Sequence, residues 1–277
     1  MGYGDELLAA GQAQRLYDKA PDLGPVAIVD PIGRIRQHEV WMHNPAILTP
    51  QQGRTFSAAA RTRALPKRYV VNAPGARPYL RYPFTQQTGF RYNGRFRARD
   101  NVGEIYLTDR ETERAQAVLR GGPFVLIEPT VKPIQTQNKD WGVDRYQRVV
   151  RLCRGVRFVR VVHTAGARRL IGTETLTDLT FREVVALLAV AEAYLGPEGG
   201  LHHAARIVGC PAVVIFGGCI PFEVMGYPEQ TSLYDTAAGS PCCRFLPCDH
   251  CRRAMARILP ETVASLLQSK LREDIAS

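Results

Sequence analysis

Acidic residues are missing from a long stretch of this chain, with no Asp or Glu between Val40 and Arg99. Eleven basic residues fill the same interval: Arg54, Arg61, Arg63, Lys67, Arg68, Arg77, Arg81, Arg91, Arg95, Arg97 and Arg99. Nine aromatics are interleaved, among them Tyr69, Tyr79, Tyr82, Phe84, Phe90, Tyr92 and Phe96. A run of one charge is ordinarily a solvated face, but arginine among rings also suits phosphates lying beside rings or sugars. The whole chain carries a net charge of +10, which favours an anionic partner.

Other absences exclude whole classes. No uninterrupted apolar run approaches the roughly 18–20 residues that cross a bilayer. The opening MGYGDELLAAGQAQR has acids where an export signal needs base and an apolar core. No repeat of about 20–50 residues appears, which argues against a solenoid or propeller. With 24 Gly and 19 Pro in 277 residues the chain is neither fibrous nor low-complexity. Hydrophobic residues at 45% and charged residues at 22% are globular proportions. The seven cysteines are an odd number, and Cys153, Cys210 and Cys219 lie in apolar stretches as small hydrophobes. A reducing, cytoplasmic compartment is the expectation.

What is present is an alternation of helix and strand. Residues 5–18 have the spacing of an amphipathic helix, with Leu7, Leu8, Gly11 and Leu16 near one face. Short strands are expected at 26–29, 68–72 and 104–107, and Thr108 with Glu111 forms a capping box for a helix to about Leu119. Gly121-Gly122-Pro123 is the best boundary. Beyond it strands at 124–128, 156–162, 193–195 and 212–216 alternate with helices at 143–153, 181–190, 201–208 and 260–271. Such alternation implies parallel βαβ units. The expected architecture is α/β, two Rossmann-like domains facing a cleft, at residues 1–120 and 121–277. The last helix is placed to pack back on the first domain.

Three segments carry candidate chemistry. Gly2-Tyr3-Gly4-Asp5 sets glycines and a carboxylate at the start of a helix, where backbone N–H groups approach an anion. Asp5 is equally explained as a helix cap. Glu198-Gly199-Gly200-Leu201-His202-His203 follows a strand and opens a helix, so Gly199 and Gly200 can meet a diphosphate. Glu198 can accept from sugar hydroxyls and His203 can donate to phosphate, although a plain glycine turn with a packed histidine reads the same way. Lys139, in Asn138-Lys139-Asp140-Trp141, lies in a βα loop over the carboxyl edge of a parallel sheet.

Four cysteines crowd a fourth segment: Cys242, Cys243, Cys248 and Cys251. Cys248-x₂-Cys251 suits a tetrahedral ion, with Cys243 and either Cys242 or His250 completing the set as structural zinc or iron. A reduced loop and a disulfide are the alternatives.

These segments, in this order, resemble glycosyltransferase family 9, the heptosyltransferase-like enzymes. GYGDELLAAGQAQ is similar to the family's Gly-Asp-x-Leu start, NKDW to its Lys-x-Trp loop, and GPEGGLHHAARIVGCPAVVIFGG to its Asp-Thr-Gly-x-x-His segment. CRRAMARILPETV is similar to its Cys-Met-x-x-Ile-x-Pro-Glu-x-Val ending. The resemblance implies the GT-B fold and inverting transfer from a nucleoside-diphosphate sugar, often ADP-heptose. By that resemblance Asp5 is the general base, and Gly4, Lys139, Glu198, Gly199, Gly200, Leu201 and His203 bind the donor. Glu198 stands where the family has Asp, and Gly199 where it has Thr.

No Asp-x-Asp occurs in the chain, so cationic side chains rather than a divalent metal are expected to meet the diphosphate, and no cofactor is expected for catalysis. The basic segment, with Arg95 and Arg97, is expected to bind an anionic acceptor. A nucleic-acid glycosyltransferase and a non-catalytic nucleotide-sugar or nucleic-acid binding protein are the competing readings.

Overall fold

The computed structural model describes residues 2–52, 68–85, 89–132, 137–162 and 168–273. Among the basic residues of the acid-free stretch, Arg54, Arg61, Arg63 and Lys67 lie outside them.

Short aliphatic runs form two parallel sheets. Val26–Val29 (β1) is buried along its whole length and has a parallel neighbour on each side, Ile47–Leu48 (β2) and Tyr69–Val71 (β3). Strands covered on both faces read as continuous apolar runs rather than alternations, and VAIV is such a run. The second sheet holds Val125–Ile127 (β4), Phe158–Val162 (β5), Thr173–Thr177 (β6), Ala193–Pro197 (β7), Ala212–Gly217 (β8) and Thr231–Tyr234 (β9). Its order is β6-β5-β4-β7-β8-β9, with every pairing parallel. That is the order of a doubly wound sheet, in which the direction of building reverses between its first and fourth strands, here β4 and β7.

The helices are Tyr3–Asp18 (α1), Asp109–Leu119 (α2), Val143–Leu152 (α3), Phe181–Val190 (α4), Gly200–Ile207 (α5), Phe222–Met225 (α6), Asp249–Arg257 (α7) and Pro260–Glu273 (α8). α2 and α4 each begin with a reciprocal capping box, Thr108 with Glu111 and Thr180 with Glu183. The expected α/β alternation is present, with β2, α6 and α7 added to it and three further differences. Residues 104–107 form no strand, because side chains take their carbonyls: Asn44 Nδ2 donates to Glu104 O at 3.3 Å and Arg182 Nη2 to Tyr106 O at 2.5 Å. The edge strands β6 and β9, TETLT and TSLY, are too polar to stand out as buried runs. α8 packs on α3, β7 and β8, and its Val263, Ala264 and Leu267 share a core with Val125 and Trp141. Among the described residues the last helix thus packs with the larger sheet.

One apolar cluster runs through both halves of the chain, from Leu7, Leu8, Val26 and Ile28 to Phe124, Leu126, Val184 and Phe216. α1 is central to it. Leu7, Leu8, Ala9, Ala10 and Ala13 are all buried, a wider face than one amphipathic stripe, because α1 lies against β1 on one side and α5 on the other. Gly11 lets residue 101 cross the helix: a Cβ there would fall 1.7 Å from Asn101 O. A buried arginine bolts the halves together. Arg182 in α4 donates from Nε to Glu111 Oε1 at 2.6 Å and from Nη1 to Glu39 O at 3.0 Å.

Candidate functional site

The N-termini of α1 and α5 meet where the two halves join. A Cβ at Gly4 would lie 3.2 Å from His203 Cδ2 and 3.6 Å from Gly200 Cα, and one at Gly200 would lie 3.3 Å from Gly4 N. A side chain at either glycine would press on the other helix start, which the close approach leaves little room for. Beside them Tyr3 stacks on Phe181, with ring centroids 3.9 Å apart and planes at 5°. Each N-terminus carries about half a positive charge, so two of them concentrate positive potential at one place. Gly199, one residue before α5, has extended backbone, and a Cβ there would meet no described atom within 4 Å. Leu201, next in α5, is half-buried.

Asp5 caps α1 and does more than cap. Its Oδ2 accepts the Gly2 N–H at 2.7 Å, as the capping reading requires. The same oxygen lies 3.6 Å from Arg77 Nε, and Oδ1 accepts a short hydrogen bond from the Tyr79 hydroxyl. Burial, then the Asp5 carboxylate, hold the Tyr79 phenol well above its usual range, so Tyr79 stays a donor. Glu6 points elsewhere: it pairs with Arg36 at 2.9 and 3.0 Å and accepts from Asn72 Nδ2 at 2.9 Å.

Lys139 and Glu198 sit at the reversal of the larger sheet, in the segments that follow β4 and β7. Ligands of doubly wound folds bind there, outside the carboxyl ends of the strands. Lys139 Nζ donates to Glu198 Oε2 at 2.7 Å and to Glu198 O at 3.1 Å. Burial pushes the Glu198 carboxyl up, but Lys139 and His202 outweigh it and hold the group below its ordinary value. Lys139 is fixed from behind, since Asn138 Nδ2 donates to Arg244 O and Leu246 O and Trp141 Nε1 to Ile258 O.

His203 has partners other than the expected phosphate. It is 1% exposed, its Nδ1 lies 2.8 Å from the Tyr227 hydroxyl, and its Nε2 lies 3.9 Å from Glu198 Oε1. Burial, then His202 and Lys139, push its pKa well below the usual value, so the ring is neutral. Its ring lies against Glu198, Tyr227 and the Gly4 backbone, at the joint of the two helix starts.

The acid-free segment divides into a packed part and a surface part. Tyr79 packs on Tyr92 and Phe96, Phe84 on Tyr82 and Phe90, and both Phe84 and Phe90 on Phe245. Most of its described aromatics therefore pack together, while Tyr69 stays exposed. Arg81, Arg91, Arg95 and Arg99 are exposed. Arg97 turns back on its own loop, donating to Gly94 O at 2.6 Å and Phe96 O at 2.8 Å. Among the described residues of the segment, Arg77 and Tyr79 reach Asp5.

The thiols gather in a set different from the expected one. Cys219, Cys242 and Cys251 bring their sulfurs within 4.8 Å of one another, with Cys242 and Cys251 at 3.0 Å, and Cys248 lies 3.7 Å from Cys242. Cys243 turns away, with φ +54° and its Sγ on Pro241 O, while His250 bonds Ser240. Cys243 and His250 therefore leave the set and Cys219 enters it, brought by the turn after β8 rather than by the sequence cluster. Cys219 and Cys251 hold the Cys242 thiol below its usual range.

No family model matches the chain, and no curated protein matches it by sequence. Solved structures do match by fold. A glycosyl transferase family 9 protein from Veillonella parvula is 15% identical, covers 99% of this chain and 95% of its own, and superposes with a TM-score of 0.68. The E. coli ADP-heptose LPS heptosyltransferase II is 12% identical over 99% of this chain and 97% of its own, with a TM-score of 0.60. The iron-containing dodecameric glycosyltransferase TibC of enterotoxigenic E. coli is 17% identical over 99% of this chain and 74% of its own, at 0.63. The fold of this chain is the GT-B fold of the family 9 glycosyltransferases.

Proposed function

We propose that this chain is an inverting glycosyltransferase that moves a heptose-like sugar from an ADP-sugar to a hydroxyl of an anionic acceptor. The observation that carries this reading is the meeting at Gly4 and Gly200. It sets the Asp5 carboxylate of one half beside a lysine-bearing loop and a helix N-terminus at the reversal of the larger sheet. The fold likeness supports sugar transfer, and the E. coli relative named for ADP-heptose supports the donor.

In the reaction Asp5 takes the proton of the acceptor hydroxyl as its oxygen attacks the anomeric carbon. The bond from that carbon to the diphosphate breaks, and the diphosphate leaves with the electron pair. A positioned base contributes typically about 10²–10⁴-fold. Lys139, the Gly199 and Gly200 backbone and the α5 N-terminus meet the charge that develops on the leaving group. Lys139 exchanges Glu198 for the diphosphate, which frees Glu198 for sugar hydroxyls. His203 supports Glu198. The exposed arginines receive the acceptor. A phosphorylated glycan is favoured over single-stranded nucleic acid, because most of the segment's described rings pack on one another rather than standing free to stack on bases.

A structural zinc or iron ion at the thiols completes the reading. A tetrahedral ion with sulfur bonds of about 2.3 Å spaces its sulfurs about 3.8 Å apart; the 3.7 Å between Cys242 and Cys248 matches this, and the 3.0 Å between Cys242 and Cys251 would have to widen on binding. Cys219, Cys242 and Cys251 would hold it, with Cys248, 3.7 Å from Cys242, offered as the fourth ligand, and it would cross-link the loop that Asn138 grips next to Lys139.

The experiment is a panel of nucleoside-diphosphate sugars tested for thermal stabilisation and for nucleoside-diphosphate release with and without acceptor. A donor at 100 times its dissociation constant adds about 2.7 kcal/mol of stability. Stabilisation with release only when acceptor is present supports transfer. Stabilisation without turnover on any acceptor supports the non-catalytic binder.

A further inference from the structure

We propose that Tyr79 and Arg77 are the positioning residues of the catalytic base, an inference that rests on the reading of Asp5 given above. A carboxylate has about four acceptor positions, two on each oxygen. Among the described residues, Gly2 N–H takes one on Oδ2, Arg77 Nε faces the same oxygen, and the Tyr79 hydroxyl takes one on Oδ1. The carboxylate is thereby held from three directions, and one position on Oδ1 is left for an incoming hydroxyl. The cap alone does not achieve this. A single bond to Gly2 leaves the carboxylate free to turn about its own axis, which would sweep Oδ1 away from the joint between the halves.

The supports themselves are rigid. Tyr79 is 5% exposed and its ring lies between Tyr92 and Phe96. Tyr92 in turn packs on Phe90, whose N–H donates to Cys243 O at 2.7 Å, so the Tyr79 ring is tied to the larger half. The hydroxyl of Tyr79 thus carries into the first half a position set partly by the second. Tyr79 keeps its proton throughout. Its bond goes to Asp5, and the acceptor's proton goes to the remaining position of the carboxylate. Arg77 offsets the negative charge on Oδ2, the oxygen that does not take the proton.

The Val40–Arg99 segment is then more than an acceptor surface, because Arg77 and Tyr79 within it serve the base. The charge of Glu198 acts on Tyr79 from the larger half, and His203 and Lys132 lie against Gly4 and Gly2 beside Asp5.

The test is a double-mutant cycle on full-length protein, measured with donor and acceptor at saturation. Tyr79→Phe keeps the ring and removes only the hydroxyl. A hydrogen bond to a charged group is worth about 1.5–3 kcal/mol, so kcat should fall about ten-fold or more, while the KM values for donor and acceptor stay within about two-fold. In an Asp5→Asn background the same change should leave the residual rate unaltered. Arg77→Met gives a second arm with the stem preserved, and it should show the same dependence on Asp5 if Tyr79→Phe does not fold. Wild-type kcat in a folded Tyr79→Phe or Arg77→Met protein, or equal losses with and without the Asp5 carboxylate, would overturn the positioning role. Full activity of Asp5→Asn alone is a different failure, that of the base assignment itself.

Discussion

Lys139 Nζ gives two hydrogen bonds to one residue, Glu198, at 2.7 Å to its carboxylate and 3.1 Å to its carbonyl. Both partners are largely buried, and under the proposed function a diphosphate would replace the carboxylate at Lys139. Breaking a buried pair by removing one member costs about 3–5 kcal/mol, and Lys139→Ala should therefore lose stability as well as donor affinity. The double variant Lys139→Met with Glu198→Gln separates the two effects. It should recover most of the stability yet bind the nucleoside diphosphate about ten-fold more weakly than wild type, as loss of a charge-assisted bond implies. Calorimetric titration and urea unfolding of the three proteins measure this. Wild-type affinity in the double variant would move the diphosphate away from Lys139.

Acid should destabilise the protein through its buried histidines. Burial chiefly lowers the pKa of both His202 and His203, so each is neutral in the folded state and charges more readily when unfolded. Stability contributed this way is complete above the unfolded value of about 6.5 and declines as pH falls below it. His38, lowered first by burial, acts in the same direction. Each histidine steepens the decline by up to about 1.4 kcal/mol per pH unit. Urea unfolding between about pH 7 and pH 5 reads the slope, and His203→Gln should make it shallower. A flat profile would show that these rings protonate without unfolding.

Thiol substitutions test the metal clip. Protein purified without added metal should carry about one equivalent of zinc or iron. Cys219→Ser should lose the metal and weaken nucleoside-diphosphate binding, because Asn138, the neighbour of Lys139, is bonded to the cysteine loop. Cys243→Ser should keep both. Metal retained in Cys219→Ser and lost in Cys243→Ser would restore the set expected from sequence spacing.

The exposed arginines are predicted to serve the acceptor alone. Arg91→Ala with Arg95→Ala should raise the acceptor's KM and leave donor affinity within about two-fold, as removal of surface charges does. A fall in donor affinity instead would put this surface on the nucleotide side.

Much of the larger sheet is legible in the sequence because its central strands are aliphatic runs between capped helices, and local spacing suffices to mark such elements. β6 and β9 are not, since edge strands such as TETLT need no apolar run. Asp5, Lys139 and Glu198 stand out because each lies beside glycines or in a βα turn. Tyr79 and Cys219 escape notice for another reason: they reach their partners from 74 and 23 residues away. No local pattern distinguishes Tyr79 from Tyr82, or Cys219 from Cys210, before the chain is folded. The closeness of Cys243 to its neighbours in sequence misleads for the same reason, because its backbone turns the thiol outward.

Asp5→Asn is the most direct test of the account. The side-chain amide of this variant can still accept the Gly2 N–H through its oxygen, so the start of α1 and its contact with Gly200 should persist, and only the ability to take a proton is lost. Transfer with a saturating donor and acceptor, measured beside calorimetric titration of the nucleoside diphosphate, separates catalysis from binding. The account predicts donor affinity within about two-fold of wild type and a kcat lower by about two orders of magnitude or more. Turnover at the wild-type rate in this variant would contradict it.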